Sequence, residues 1–338
     1  MRVAVLGLGF MGSTHLKALL AIPGAEVVAV FSGDERKLSG DFTGIQGNLG
    51  GPGERLDLSH ATKYREIGQV LRDARVEAVD ICLPTPLHES VSIDALRAGK
   101  HVLVEKPMAL DRASAERMIA EAGRQKRVLM VAQVLRFFGA YRALAEILAS
   151  GQLGAPRSAL FRRRCGPPGW SGWLNDPEQS GGAVLDLLIH DIDMCLHLFG
   201  KPQSISATGP EAPAAGIDLM TAELHYAGGW TAIVTGGWHA SKSYPFSMEY
   251  TVVAERGTVE YSSTGREPAV YPANGPMEPL RVSGKDGYRA EIEYFLECCS
   301  EGTEPDLCPP HQSRDAVSLA RQLMEARRRN GEKIACDL

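Results

Sequence analysis

Arg2-Val3-Ala4-Val5-Leu6-Gly7-Leu8-Gly9-Phe10-Met11-Gly12 passes from an apolar run straight into three glycines, and Met11–Leu20 then carries apolar residues at helical spacing. That order predicts a buried strand, a tight turn and a helix. In such a turn Gly7 permits the bend, Gly9 lets backbone approach a pyrophosphate, and Gly12 lets helix pack closely on strand. The helix N-terminus then offers unpaired N–H groups and a partial positive charge to phosphates. As a bare pattern G-x-G-x-x-G is weak, because any tight turn uses glycine. Its position between strand and helix makes it a dinucleotide signature. Gly7, Gly9, Phe10, Met11 and Gly12 are the first candidate cofactor residues.

Beyond the turn, short β runs alternate with helical patterns, the mark of a parallel sheet covered by helices. Strands are predicted at Val27–Phe31, Ala78–Leu83, His101–Val104 and Val128–Ala132. Helices are predicted at Glu66–Asp73, His88–Ala98 (ending at Gly99) and Arg112–Gln125 (capped by Asp111). The material suffices for a six-stranded doubly wound sheet, an α/β Rossmann domain over residues 1–132. Ser32 to Ala61 reads as a long loop, with Thr43–Gly53 rich in glycine.

From 133 to 338 the pattern changes. Strands at Arg157–Cys165, Ser204–Thr208, Met220–Tyr226, Thr231–Gly236, Glu249–Ala254 and Thr258–Tyr261 have short connections, which suits an open-faced, largely antiparallel sheet in an α+β domain. Helices are expected at Ala140–Ala149, Ala183–Leu198, Tyr288–Cys299 and Gln312–Arg328. The alternating Ile205–Thr208 and the apolar Thr231–Thr235 suggest a sheet face that meets a second copy, giving a homodimer or homotetramer.

The 338 residues exceed one compact core, and 36 Lys and Arg against 41 Asp and Glu give no field for nucleic acid or an anionic membrane. The basic runs Arg162–Arg164 and Arg327–Arg329 are short and read as solvated faces. Seven scattered cysteines lack metal-ligand spacing, so no metal site is expected and a reduced cytoplasmic protein fits best. A first strand at Arg2 leaves no room for a signal peptide, and no apolar run approaches the ~18 residues of a membrane span.

Two further constellations carry chemistry. Glu105-Lys106-Pro107 ends a strand of the parallel sheet, on the edge where ligands bind. Lys106 there can donate hydrogen bonds to a substrate oxygen, although a lysine snorkelling at a strand end is the commoner use. On the helix Ala183–Leu198, about 100° per residue puts Asp186, His190, Asp193 and His197 on one stripe amid leucines and isoleucines. Four such groups spread over three turns cannot converge on one ion, so proton chemistry by Asp186 and His190 is preferred over a metal site.

Together these features resemble the glucose–fructose oxidoreductase / inositol dehydrogenase family, also named after its member MocA. The run Val79-Asp80-Ile81-Cys82-Leu83-Pro84-Thr85-Pro86, then His88, then Ala95 to Pro107, follows the family pattern closely. Gly181 to Asp193 looks like its second signature. The resemblance implies nicotinamide chemistry on sugars, cyclitols or related polyols, with Lys106, Asp186 and His190 catalytic. It also implies Pro84, Thr85, Pro86, His88 and Glu105 beside the cofactor, and a cis peptide before Pro107.

The second strand ends at Phe31 and Ser32 follows, where NAD-specific domains place an acid for the ribose 2′-hydroxyl. Ser32 does not repel a 2′-phosphate, Gly33 offers an N–H, and Arg36 and Lys37 follow within one turn. NADP is therefore expected ahead of NAD, although Asp34 could serve as the acid. Arg136, Trp170, Trp173, Asn175 and Tyr244 are candidate substrate residues, the aromatics suiting a sugar face; core packing explains each nearly as well. Two other readings stand beside a dehydrogenase: a glycoside-cleaving enzyme using held NAD, and a non-catalytic dinucleotide-dependent regulator.

Overall fold

The computed structural model describes the chain except residues 46, 48–52, 170 and 171, so Trp170 and the middle of the Thr43–Gly53 stretch lie outside the described residues. The chain forms two compact units: Met1–Val134 with Asp286–Arg314, and Leu135–Lys285 with Asp315–Leu338. The sequence boundary at 132/133 lies two residues before the first crossing. Residues 286–314, which the sequence places in the second domain, join the first unit.

In that unit six strands pair in parallel: β1 (Arg2–Leu6), β2 (Glu26–Phe31), β3 (Thr62–Tyr64), β4 (Ala78–Ile81), β5 (His101–Glu105) and β6 (Leu129–Ala132). Their order is β3-β2-β1-β4-β5-β6, so consecutive β3 and β4 sit on opposite sides of β1. Both faces of a parallel sheet are covered, which explains why Val3, Val5, Val79, Ile81, Val102 and Val104 are all buried. The edge strand β3 is absent from the sequence reading because three residues of mixed polarity carry no period. Helices α1 (Phe10–Leu20), α2 (Glu35–Leu38), α3 (Ile67–Arg72), α4 (His88–Arg97) and α5 (Arg112–Gln125) complete the alternation. As expected, the Asp111 carboxylate accepts from the Ser114 N–H at 2.8 Å.

The second unit contains α6 (Gly139–Ala149), β7 (Pro156–Cys165), α7 (Pro177–Ser180) and α8 (Ile189–Phe199). Next come β8 (Ser204–Thr208), β9 (Glu211–Ala212), β10 (Ile217–His225), β11 (Thr231–Trp238), β12 (Ser247–Ala254), β13 (Gly257–Ser262), β14 (Arg266–Pro272) and β15 (Glu278–Pro279). The chain then forms α9 (Gly287–Glu301), α10 (Pro310–Arg328) and β16 (Ile334–Ala335). Among the described residues the sheet order is β15-β14-β13-β12-β7-β11-β10-β8-β16, with β9 on β10. Every pair is antiparallel except the central β7–β11, whose Phe161 lies opposite Val234 in parallel register. Tyr141 and Tyr250 meet edge to face at 5.3 Å beneath this sheet.

One expectation is corrected. The helix Ala183–Leu198 is not a uniform α-helix: Val184–Leu188 is a π-helical turn, and α-helix begins at Ile189. An almost entirely apolar segment gives no periodicity from which a wider turn could show. Single π turns concentrate at functional sites. Helix α9 packs on α1 in the first unit, and its Ile292 and Phe295 are buried. No helix among the described residues is long and apolar enough to cross a membrane.

Candidate active site

The glycine turn separates structural from ligand-directed requirements. Gly7 has φ of +94°, and a Cβ there would lie 2.4 Å from the Cys82 carbonyl oxygen; one on Gly12 would lie 1.8 Å from that of Gly7. Both positions must be glycine for the strand, turn and helix to close. Around Gly9 a Cβ meets nothing within 4 Å, and no side chain caps the N-terminus of α1, which Gly9 begins. Open space beside uncapped N–H groups of Phe10, Met11 and Gly12 suits a pyrophosphate.

Past β2, Ser32 is buried and its Oγ accepts from the Asp34 N–H at 3.1 Å. Asp34 in turn caps α2 by accepting from the Arg36 N–H at 2.9 Å. Arg36 pairs with Asp41 at 3.2 Å and Lys37 stands 3.9 Å from Asp34, so both cations have local partners in this state. A Cβ on Gly33 meets nothing within 4 Å. Hydrogen bonds from Thr43, led by its side chain, and from Arg36 hold the Asp41 carboxyl at a pKa of about 2.

At the other strand ends, Thr85–Leu87 forms one 3₁₀ turn with Pro86 inside it and leads into α4 at His88. His88 is buried, with Nδ1 2.9 Å from the Pro107 carbonyl and Nε2 2.8 Å from that of Leu83. Burial keeps this imidazole below its usual pKa, against the pull of those carbonyls. The ring therefore spans two strand-end loops, one from each side of the expected cofactor edge. The Lys106–Pro107 bond is cis, as the resemblance implied. The Lys106 N–H donates to Glu105 Oε2 at 3.0 Å.

Three groups of metal-donor type, His15, Asp80 and Cys82, come within 4.8 Å of one another. The imidazole Nδ1 instead faces Asp80 at hydrogen-bond distance, and burial with the Asp80 charge raises the Cys82 thiol pKa far above ordinary. Cys82 is thus a protonated thiol packed beside the His15–Asp80 pair. Sequence reasoning missed His15 and Asp80, although a lone acid in the apolar strand Ala78–Ile81 is the signal that could have found them.

In the second unit, consecutive left-handed residues Gly181 (φ +75°) and Gly182 (φ +69°) turn the chain into the segment bearing Asp186 and His190. The Ala183 N–H donates to Asp218 at 2.7 Å, and Arg327 of α10 holds that carboxylate at 2.6 Å. Asp191 receives a bidentate pair from Arg163 of β7 at 2.8 and 3.0 Å. Asp193 receives one from Arg136 at 2.8 and 2.7 Å. All four partners are buried, and breaking such a pair typically costs about 3–5 kcal/mol. The helix is thus fixed at its start and on two flanks.

The expected stripe therefore divides. Asp193 is a buried structural acid, whereas Asp186, His190 and His197 are half-buried. Arg136, a candidate substrate residue, directs two of its nitrogens at Asp193. Tyr244 stacks on His239 at 4.2 Å with Arg164 over its ring, Trp173 is half-buried, and the Asn175 amide donates to the Pro168 carbonyl. Lys106 belongs to the first unit, and Asp186 and His190 to the second.

The strand, glycine turn and uncapped helix start of the first unit define a dinucleotide-binding fold. A family model described as an oxidoreductase family with an NAD-binding Rossmann fold matches residues 1–133, and one described as the GFO/IDH/MocA C-terminal domain matches residues 141–260. The chain belongs to the GFO/IDH/MocA family of oxidoreductases. It is 31% identical to inositol 2-dehydrogenase of Rubrobacter xylanophilus over 76% of this chain and 70% of that one. It is 27% identical to myo-inositol 2-dehydrogenase of Thermotoga maritima over 90% of each. A levoglucosan dehydrogenase in complex with NADH and levoglucosan shares the fold, with a TM-score of 0.83 at 18% identity over 100% of both chains.

The glycines give the first prediction. Gly9→Val should fold normally and lose dinucleotide binding, whereas Gly12→Val should lose stability outright. Titration of NADH and NADPH fluorescence beside thermal melts checks both; retained binding in folded Gly9→Val would contradict the ligand-directed role.

Proposed function

We propose that the enzyme interconverts a secondary alcohol and a ketone on a sugar, cyclitol or related polyol. The reading rests on one observation above the others: of the acids and histidines at the helix start, Asp186 and His190 keep partial exposure while Asp191 and Asp193 are consumed by arginines. The similarity to inositol dehydrogenases supports the substrate class. The Gly7–Gly12 turn, Gly33 and the Pro84–Pro86 segment would hold the dinucleotide, whose nicotinamide accepts or returns a hydride when bound. His190 takes the hydroxyl proton, Asp186 orients that hydroxyl, and Lys106 stabilises charge developing on the oxygen. Trp173, Asn175 and Tyr244 are proposed to border the substrate.

Losing a general base or an electrophilic donor costs about two to four orders of magnitude in rate. Lys106→Ala and His190→Ala should each lower kcat that far on inositols or sugars while dinucleotide affinity survives. Near-wild-type turnover in either variant would refute the assignment.

NADP is the proposed preference. Ser32 and Gly33 place no acid at the end of β2, and Arg36 and Lys37 need only exchange Asp41 and Asp34 for a phosphate. The ratio of kcat/KM for the two cofactors should favour NADP, and Ser32→Asp should reverse it by about tenfold or more. A wild type preferring NAD tenfold would overturn this.

A homodimer or homotetramer through the second-unit sheet is also proposed. Strands such as β10 alternate buried with exposed residues, including Thr221 and Glu223, so one sheet face retains surface for a second copy. Light scattering at micromolar concentration should give at least twice the chain mass of 36.5 kDa.

A further inference from the structure

Lys106 is held from both sides by buried histidines. His88 reaches the carbonyl of Pro107 after it, and His15 reaches the carboxylate of Glu105 before it. His15 lies on α1, one turn beyond Gly12, and is wholly buried. Its Nδ1 is 3.1 and 3.0 Å from the two Asp80 oxygens on β4. Its Nε2 is 3.2 Å from Glu105 Oε1, an ionic contact not aligned as a hydrogen bond. The other Glu105 oxygen accepts the Lys106 N–H. A continuous polar line therefore runs from Asp80 through His15 and Glu105 to the backbone of Lys106.

An imidazole facing a carboxylate at each nitrogen is satisfied on both sides only when both nitrogens carry protons. Burial opposes that charge, but Asp80 outweighs it, by its charge and its hydrogen bond, and raises the His15 pKa well above its ordinary value of 6.5. Burial alone would raise the Glu105 pKa; His15 more than offsets this and brings it below the usual carboxylate value. Glu291 of α9 completes the cluster. Both of its buried oxygens lack a hydrogen-bond partner. Burial, reinforced by Glu105 and Asp80 against His15, raises its pKa well above 4.5. Tyr288, also on α9, presents its ring 6.2 Å from that of His15 and stays neutral because burial raises its pKa. His15 thus stands between two carboxylates, with Glu291, Tyr288 and Cys82 as the other titratable groups facing it. Discharging His15 would leave two buried carboxylates without their shared cation, a costly arrangement.

We propose that His15 is a positioning residue for the reaction: a buried imidazolium that fixes Glu105, which in turn fixes the backbone of Lys106, linking the dinucleotide-binding helix to the reactive lysine. The inference rests on the assignment of Lys106 above, and its test separates the two. Imidazole ¹⁵N NMR of the full-length protein, assigned by comparison with His15→Gln, should show His15 charged through pH 8. Its pairing stabilises the fold fully below about pH 6.5 and is lost as pH rises through the folded value. In Asp80→Asn the ring should lose its proton at a lower pH, and kcat should gain an alkaline limb at that same pH. Dinucleotide affinity at pH 6 should stay within about threefold. His15→Gln and Glu105→Gln should each lower kcat about ten- to a hundredfold with little change in KM, and the double variant should be no worse than either. Glu291→Gln, which preserves the neutral form, should leave kcat and the His15 titration unmoved. A neutral His15 at pH 7, a titrating ring in Asp80→Asn without a matching limb in kcat, or a Glu291→Gln that displaces the titration would each overturn the inference. If His15→Gln does not fold, Asp80→Asn decides. If Lys106→Ala turns over normally, the catalytic reading fails, while the NMR result still decides the charge of His15.

Discussion

A carboxylate taken out of water must meet a cation or keep its proton, and this requirement orients the strand end at Lys106 and the helix that bears Asp186 and His190. In the first unit one imidazole stands between Asp80 and Glu105. In the second, Asp191, Asp193 and Asp218 each meet an arginine from a different element. Such pairs contribute little net stability compared with an apolar core of equal volume. Their effect is directional, because a guanidinium that donates twice to one carboxylate, as Arg163 and Arg136 do, fixes the plane in which the two meet. The helix bearing Asp186 and His190 can neither roll nor slide without separating charges inside a medium that does not screen them.

Much of this was legible in the sequence because backbone rules are local. Gly7 and Gly12 announced a close approach that the structure requires to within a single atom, and Asp111 announced the start of a helix. Buried parallel strands showed as apolar runs. What escaped was either short, like β3 and α2, or depended on partners distant in sequence. Asp193 and Asp186 have the same side chain and lie on one predicted stripe. Arg136, 57 residues away, pairs with Asp193 in the interior, while Asp186 stays half-exposed. Helical periodicity describes which way a residue faces, not what it meets.

The same reasoning applies to His15. Its spacing from the glycines marked nothing, and its partners come from two strands and a helix almost 280 residues further along the chain. Asp80 was the visible half of the pair, an acid with apolar neighbours on either side in a strand predicted to be buried. A charge in such a place obliges a search for its counter-ion, and here that search leads to the helix that begins at the dinucleotide turn.

The return of α9 to the first unit has a consequence for how the protein is made. The polypeptide that could hold a dinucleotide is interrupted after Val134 and resumes at Asp286. At roughly 5–20 residues per second of synthesis, the ribosome spends on the order of ten to thirty seconds on the intervening segment. Throughout that interval α1 waits with the side of it meant for α9 uncovered, and the carboxylates around His15 lack the acid that completes their surroundings. The second unit can therefore assemble most of its sheet before the first is finished. Nascent chains stalled in this window should be the form of the protein most dependent on chaperones.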